Sequence, residues 1–171
     1  MSDLRLPARA PWRTRQYRYS RQLGRAVTTL AAALTLGRMP PFVSVSAMIV
    51  TAGRILTVID PIRQEPVLPG GHVRWREKPA AALVREVREE TGFHIQPIGI
   101  LAVLSGQEWA GEPGIVRLIF SAEISGGSLS SSAEGDALWM PLETFLESES
   151  RDTPIVQVCR HTISGGKTFW R

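Results

Sequence analysis

Residues 70–93 read GGHVRWREKPAAALVREVREETGF. The middle of this stretch is a helix by every local rule. Pro79 suits a first helical turn, Ala80 to Leu83 are strong helix formers, and Gly92 sits where a left-handed C-terminal cap belongs. Ala80, Leu83, Val84 and Val87 supply the expected apolar stripe. The final turns then carry Glu86, Glu89 and Glu90. Residues three and four apart are neighbours on a helix, so Glu86 faces both of the others. Carboxylates about 6 Å apart at an effective dielectric of about 20 repel by roughly 3 kcal/mol per pair. Arg85–Glu89 is the one helpful i,i+4 pair, worth about 0.3–0.5 kcal/mol. Negative charge at a helix C-terminus also opposes the macrodipole. Either the three glutamates all face water, or a divalent cation compensates them. Mg²⁺ is hard, prefers oxygen, and takes a few carboxylates while keeping waters and substrate phosphates.

Working outward, the flanks read as strands. PFVSVSAMIVT (41–51) alternates in part, Ala52-Gly53 turns the chain, and RILTVID (54–60) returns until Asp60-Pro61 breaks it. Val67-Leu68-Pro69 is a short extended piece. Beyond the helix, Ile98–Leu104, Ile115–Ile124 and Ala137–Pro141 read as strands, with loops over 105–114 and 126–136. Leu142–Glu149 and Pro154–Ile163 read as helices. Strands and helices mix without a βαβ rhythm or an internal repeat. The expected class is α/β of the α+β kind, a mixed sheet sandwiched between helices.

Ahead of this domain lies a different composition. Residues 1–38 carry eight arginines and one acid, Asp3, for a net +7. The remainder carries twelve basic and fifteen acidic residues, a net −3. Over 17–36 the apolar residues Tyr19, Leu23, Ala26, Val27, Leu30 and Leu34 fall at helical spacing. The sequence thus divides into a basic N-terminal extension (1–38) with an amphipathic helix and a folded domain (39–171). A basic arm can attract nucleic acid, anionic lipid or an acidic partner, or simply present a solvated face. An apolar content of 43% excludes a disordered chain. No apolar run approaches the ~20 residues of a membrane span. AVTTLAAALTL (26–36) is short and alanine-rich for an export signal, and Gly37-Arg38-Met39-Pro40-Pro41 is a poor cleavage site. The lone Cys159 can form no internal disulfide, so a reducing, cytoplasmic setting is expected.

The spacing around the glutamates is more specific than their charge. Five residues separate Gly71 from Glu77, and seven separate Glu77 from Arg85-Glu86. Apolar Val87, any residue, Glu89-Glu90, any residue, Gly92 and apolar Phe93 follow. This resembles the signature of the Nudix hydrolases, complete at every specified position. Seven fixed residue types, each with a background of about 6–7%, meet at these offsets by chance in roughly one chain in a million. The resemblance implies a Nudix-type α/β/α sandwich. It also implies a Mg²⁺-dependent pyrophosphohydrolase (Mn²⁺ can substitute) that cleaves a nucleoside diphosphate linked to another moiety by water attack on phosphorus.

Carried over by position, Glu86, Glu89 and Glu90 become metal ligands, with Glu86 nearest the nucleophilic water. The carbonyl of Gly70 or Gly71 adds a ligand. Glu77 and Arg85 become the internal salt bridge that orients the loop on the helix. Some relatives take a further carboxylate from a late loop, for which Glu134 is the best match and Asp136 the next. His72 reads as a loop residue. Arg74 is a candidate contact for substrate phosphate, and Trp109 and Trp139 can stack on a base or lie in the core. Arg76 stands where many relatives have glycine. The subfamily marks for ADP-ribose (a proline near Glu108), for NADH and for dinucleoside polyphosphates are missing, so the substrate stays open. A prenyl diphosphate isomerase would need a cysteine ahead of the box, and Cys159 lies far behind it. The other open reading is a nucleotide-sensing or nucleic-acid-associated regulator that contacts its partner through the basic arm. A homodimer is compatible with the sequence.

Overall fold

The computed structural model describes residues 41–61, 64–106, 114–132, 135–147 and 153–170. The extension 1–38 with its expected helix, Trp109 and Glu134 lie outside these. In chain order the elements are β1 (Phe42–Met48), β2 (Val50–Thr51), β3 (Arg54–Ile59), β4 (Pro66–Val67), β5 (Gly70–His72), α1 (Pro79–Thr91), β6 (Phe93–Ser105), β7 (Ile115–Gly127), β8 (Asp136–Pro141), α2 (Leu142–Glu147), α3 (Thr153–Ile163) and β9 (Phe169–Trp170).

The strands form two sheets rather than one. The larger runs β5-β1-β7-β6-β9 and is mixed, with β1–β7 and β6–β9 parallel and β1–β5 and β6–β7 antiparallel. The smaller joins β2, β3, β4 and β8, all antiparallel. Alternation along β1 sends Val45 and Ala47 into one core with Leu56, Phe93, Phe120 and the α1 residues Ala82, Leu83 and Val87. The other core gathers Met48, Ala102, Leu104 and Ile119 with Phe145 of α2 and Ile155, Val156, Val158 and Cys159 of α3. Apolar layers thus lie on both sides of the sheet, the α/β/α arrangement.

Helix α1 has the bounds that the sequence gives it, but its buried face is turned. Ala80 is exposed, whereas Ala82, Leu83, Val87 and Thr91 are buried. Leu83–Val87–Thr91 form one i,i+4 row against the sheet. Ala82–Glu86–Glu90 form the neighbouring row, so two of the glutamates lie at the edge of the packed face. Gly92 ends the helix in the left-handed conformation (φ 76°) and donates its N–H to Arg88 at 3.0 Å. A β-carbon there would lie 2.5 Å from the Ser128 carbonyl oxygen.

Three expectations for the strands need correction. His72 is not a loop residue: Gly70–His72 is a strand, in register with Ser44–Ser46 of β1. β6 begins at Phe93 rather than Ile98. Pro97 argues against a strand there, but a register irregularity between Pro97 and Gly99 accommodates it. β7 runs on to Gly127, so the polar loop after it is shorter than its composition implies. Trp139, one of the two candidate base-stacking residues, is partly buried against the α1 core, its ring 6.1 Å from that of Phe93.

Candidate active site on the glutamate helix

The site lies where β5 meets the last two turns of α1. The N–H of Gly70 donates to Glu90 Oε2 at 2.8 Å. Gly71 backs directly onto Glu86: a β-carbon on Gly71 would sit 2.5 Å from Glu86 Cδ and 2.7 Å from each carboxylate oxygen. No side chain larger than hydrogen fits at residue 71 while Glu86 keeps this position. Gly70 is constrained from the other side, since a β-carbon there would be driven into the Val45 carbonyl and lie 2.7 Å from Ser46 Cα. The two glycines therefore let the β5 backbone pass between β1 and two carboxylates.

Arg85 organises the rest. Its Nε donates to Glu77 Oε1 and its Nη2 to Glu77 Oε2, both at 2.9 Å, a bidentate pair. Nη2 also donates to the His72 carbonyl at 3.1 Å. Nη1 is shared between Glu86 Oε1 at 2.6 Å and Glu89 Oε2 at 3.4 Å. Glu77 in turn accepts the Arg74 N–H at 2.8 Å and donates its own N–H to the Arg74 carbonyl at 3.0 Å. The Arg85 hydrogen bonds, and then the Arg74 N–H, hold the Glu77 carboxyl down at about 2, well below its ordinary 4.5. The same hydrogen bonds, donated to Glu77, push the Arg85 guanidinium upward, against the desolvation of the site.

The side chains of Arg85, Glu77 and Glu86 are 17%, 16% and 12% exposed, whereas Glu89 is 51% exposed. Arg74 reaches Glu89 Oε1 at 3.7 Å from a largely exposed position. The structure therefore brings together Gly70, Gly71, Arg74, Glu77, Arg85, Glu86, Glu89 and Glu90. Helical spacing alone missed one contact, Arg85–Glu86, because adjacent helical residues do not face each other. Here Glu77 turns the guanidinium back along the helix. Arg85 is thus the counter-charge already present. Among the described residues, no three acidic, histidine or cysteine side chains stand ready as a cation cage.

A family model described as the NUDIX domain matches residues 40–159. The chain belongs to the Nudix family. Within it, the chain is 47% identical over 70 residues to the 8-oxo-dGDP phosphatase NUDT18 of Danio rerio, which covers 40% of this chain and 20% of that protein. It is 36% identical over 83 residues to the CMP-5'-(N-acetyl-N-hydroxy-3-aminopropyl)phosphonate hydrolase of Streptomyces rubellomurinus, covering 47% and 39%. The chain thus spans well under half the length of these curated relatives. The MutT protein of Methanosarcina mazei shares the Nudix fold, with a TM-score of 0.62 and 24% identity, covering 76% of this chain and 99% of that one. No helix among the described residues is long and apolar enough to cross a membrane.

Proposed function

We propose that this Nudix protein is a pyrophosphohydrolase that needs a divalent cation, Mg²⁺ with Mn²⁺ as a substitute, and acts on a nucleoside diphosphate joined to a second group. The observation that carries this reading is the clasp between β5 and α1. Gly71 leaves just the space that Glu86 fills, and Gly70 holds Glu90. With Glu89 beside them and the carbonyls of Gly70 and Gly71 within the same strand, the donor set is all oxygen, which suits a hard cation. The relatives named above are called phosphatase and hydrolase, and both names refer to nucleotide derivatives.

In the reaction, the oxygen of water bonds to one phosphorus and the bridging P–O bond breaks. Two phosphorylated products leave, and two protons are released as they ionise. A bound cation would supply charge neutralisation of the phosphate oxygens and a more acidic water. The chain's own groups do the rest. Glu86, Glu89 and Glu90 would hold the cation with the glycine carbonyls, and Glu86 would receive a proton from the attacking water. Arg85, locked by Glu77, keeps Glu86 in place. Arg74 supplies positive charge beside Glu89 for an outer phosphate. Glu134 serves as the further loop carboxylate, and Trp109 as a base contact. Residues 39–171 form the catalytic unit, and residues 1–38 form a separate basic contact arm.

The test is an incubation with Mg²⁺ and a panel of nucleoside triphosphates, ADP-ribose and nucleotide sugars, reading phosphate-containing products. Turnover of at least one member, lost in Glu89→Gln and Glu90→Gln, is the expected result. Tight binding of a nucleotide with no turnover of any member would overturn the hydrolase reading in favour of a sensor.

A further inference from the structure

Between β5 and α1 the chain makes a tight turn over residues 74–77, closed by the Glu77 N–H on the Arg74 carbonyl at 3.0 Å. Arg76, third in the turn, takes φ +64°, the sign that a type II turn requires at that position. Side chains other than glycine, asparagine and aspartate enter this region at a cost. The second residue of the turn is Trp75, which is 90% exposed. An indole is among the largest apolar groups a chain can bury, and this one covers nothing within the described residues. The turn beneath it is rigid, fixed by the Arg74 N–H on Glu77 and by the bidentate Glu77–Arg85 pair. It also stands over the glutamates, since the Arg74 guanidinium reaches Glu89 at 3.7 Å.

We infer that Trp75 is a stacking platform for the nucleobase of the substrate, which makes it the residue that favours nucleotides over base-free diphosphates. The inference rests on the pyrophosphohydrolase reading of the neighbouring glutamates. The complementarity is chemical. A nucleotide is an aromatic ring joined to a polyanion, and the turn carries an exposed indole flanked in sequence by two arginines, Arg74 and Arg76. Stacking on a tryptophan is sequence-tolerant because every base has a π-face, so the platform selects for a base without selecting which one. A rigid turn presents the ring with little conformational freedom left to lose, which favours binding. Trp75 binds substrate and takes no part in moving protons or the phosphoryl group.

The test uses the full chain with Mg²⁺ and the α,β-methylene diphosphates of adenosine, guanosine, cytidine and uridine, with methylenediphosphonate as the base-free control. Tryptophan emission should be quenched by at least one nucleoside analogue and not by the control, and Trp75→Ala should remove most of that quenching, leaving only the share that Trp109 contributes. By calorimetry, Trp75→Ala should weaken the nucleoside analogue about tenfold and leave methylenediphosphonate unchanged. Trp75→Phe, which keeps an aromatic face, should recover most of the loss. In turnover, Trp75→Ala should raise KM with kcat held. Absence of quenching by all four analogues, equal losses for the control, or failure of Trp75→Phe to differ from Trp75→Ala would each overturn the inference. The binding arms need no turnover, so they separate a failure of this inference from a failure of the hydrolase reading.

Discussion

The two glycines of β5 make a pair of substitutions with opposite consequences. At Gly71, the nearest atoms that an alanine meets are those of the Glu86 carboxylate, 2.5 Å from Cδ and 2.7 Å from each oxygen. That carboxylate ends a flexible side chain, so it moves by about 1 Å to restore ordinary contact, and the backbone stays. The move gives up the Arg85 Nη1–Glu86 hydrogen bond of 2.6 Å, a loss of about 1.5–3 kcal/mol for a charged, mostly buried pair. Replacing glycine in extended backbone restores about 0.4–1 kcal/mol through the unfolded chain. Gly71→Ala should therefore cost only about 1–2 kcal/mol. Its effect on the site is larger, because a 1 Å misplacement of a reacting group can cost about 100-fold in rate.

At Gly70 the obstacle is the Val45 carbonyl and Ser46 Cα, which are backbone. Nothing there can yield without parting β5 from β1. Gly70→Ala should cost about 3 kcal/mol or more, in the range reserved for strain and overpacking. Urea unfolding followed by tryptophan fluorescence, with Mn²⁺ affinity measured by electron paramagnetic resonance, reads both effects. Gly71→Ala should remain folded with cation affinity and turnover sharply reduced, and Gly70→Ala should lose stability first. Wild-type affinity and turnover in a folded Gly71→Ala protein would refute the claim that the glycine exists to seat Glu86.

Other outcomes follow from individual contacts. Arg76→Gly removes a left-handed strain of about 1–2 kcal/mol and adds about 0.5–1 kcal/mol of unfolded-chain entropy, so it should stabilise the protein by about 0.5–1 kcal/mol in a urea titration. Glu77 has a folded pKa of about 2 against an ordinary 4.5. Its contribution is fully present above about 4.5 and is lost as pH falls through that window to about 2. Glu77→Gln should accordingly lower stability at pH 7 and match the wild type near pH 2. Ser44 Oγ is buried with no hydrogen-bond partner among the described residues, so Ser44→Ala should be neutral or stabilising by up to about 1 kcal/mol, since no bond among them is lost and an unmet desolvation cost disappears.

Much of this site was legible in the sequence because it is encoded locally. The bounds of α1 follow from Pro79 and Gly92, and the offsets from Gly71 to Phe93 set the box. What escaped is what distant chain segments decide. Glycine is depleted in strands, yet Gly70–His72 is a strand because β1 pairs with it. β9 is two residues long and exists through its pairing with Ala102 and Val103. The turned face of α1, which buries Ala82 in place of Ala80, depends on where the sheet lies, and periodicity alone fixes that only to within one residue position. Helical spacing also does not reveal the guanidinium that Glu77 turns toward Glu86, because the Glu77–Arg85 contact spans a loop of the chain. Arg85 neutralises part of the cluster, so the case for a cation rests on the seating of Glu86 and Glu90 against β5 more than on unrelieved repulsion.

The most direct measurement is a calorimetric titration of the full chain with Mg²⁺ and Mn²⁺, with and without α,β-methylene ADP, repeated on Glu86→Gln. The account predicts saturable uptake by the wild type, tighter with the nucleotide, and at least about tenfold weaker in the variant, the loss found when a metal site is deprived of a contributing group. No uptake by the wild type under either condition, or uptake untouched by Glu86→Gln, would contradict it.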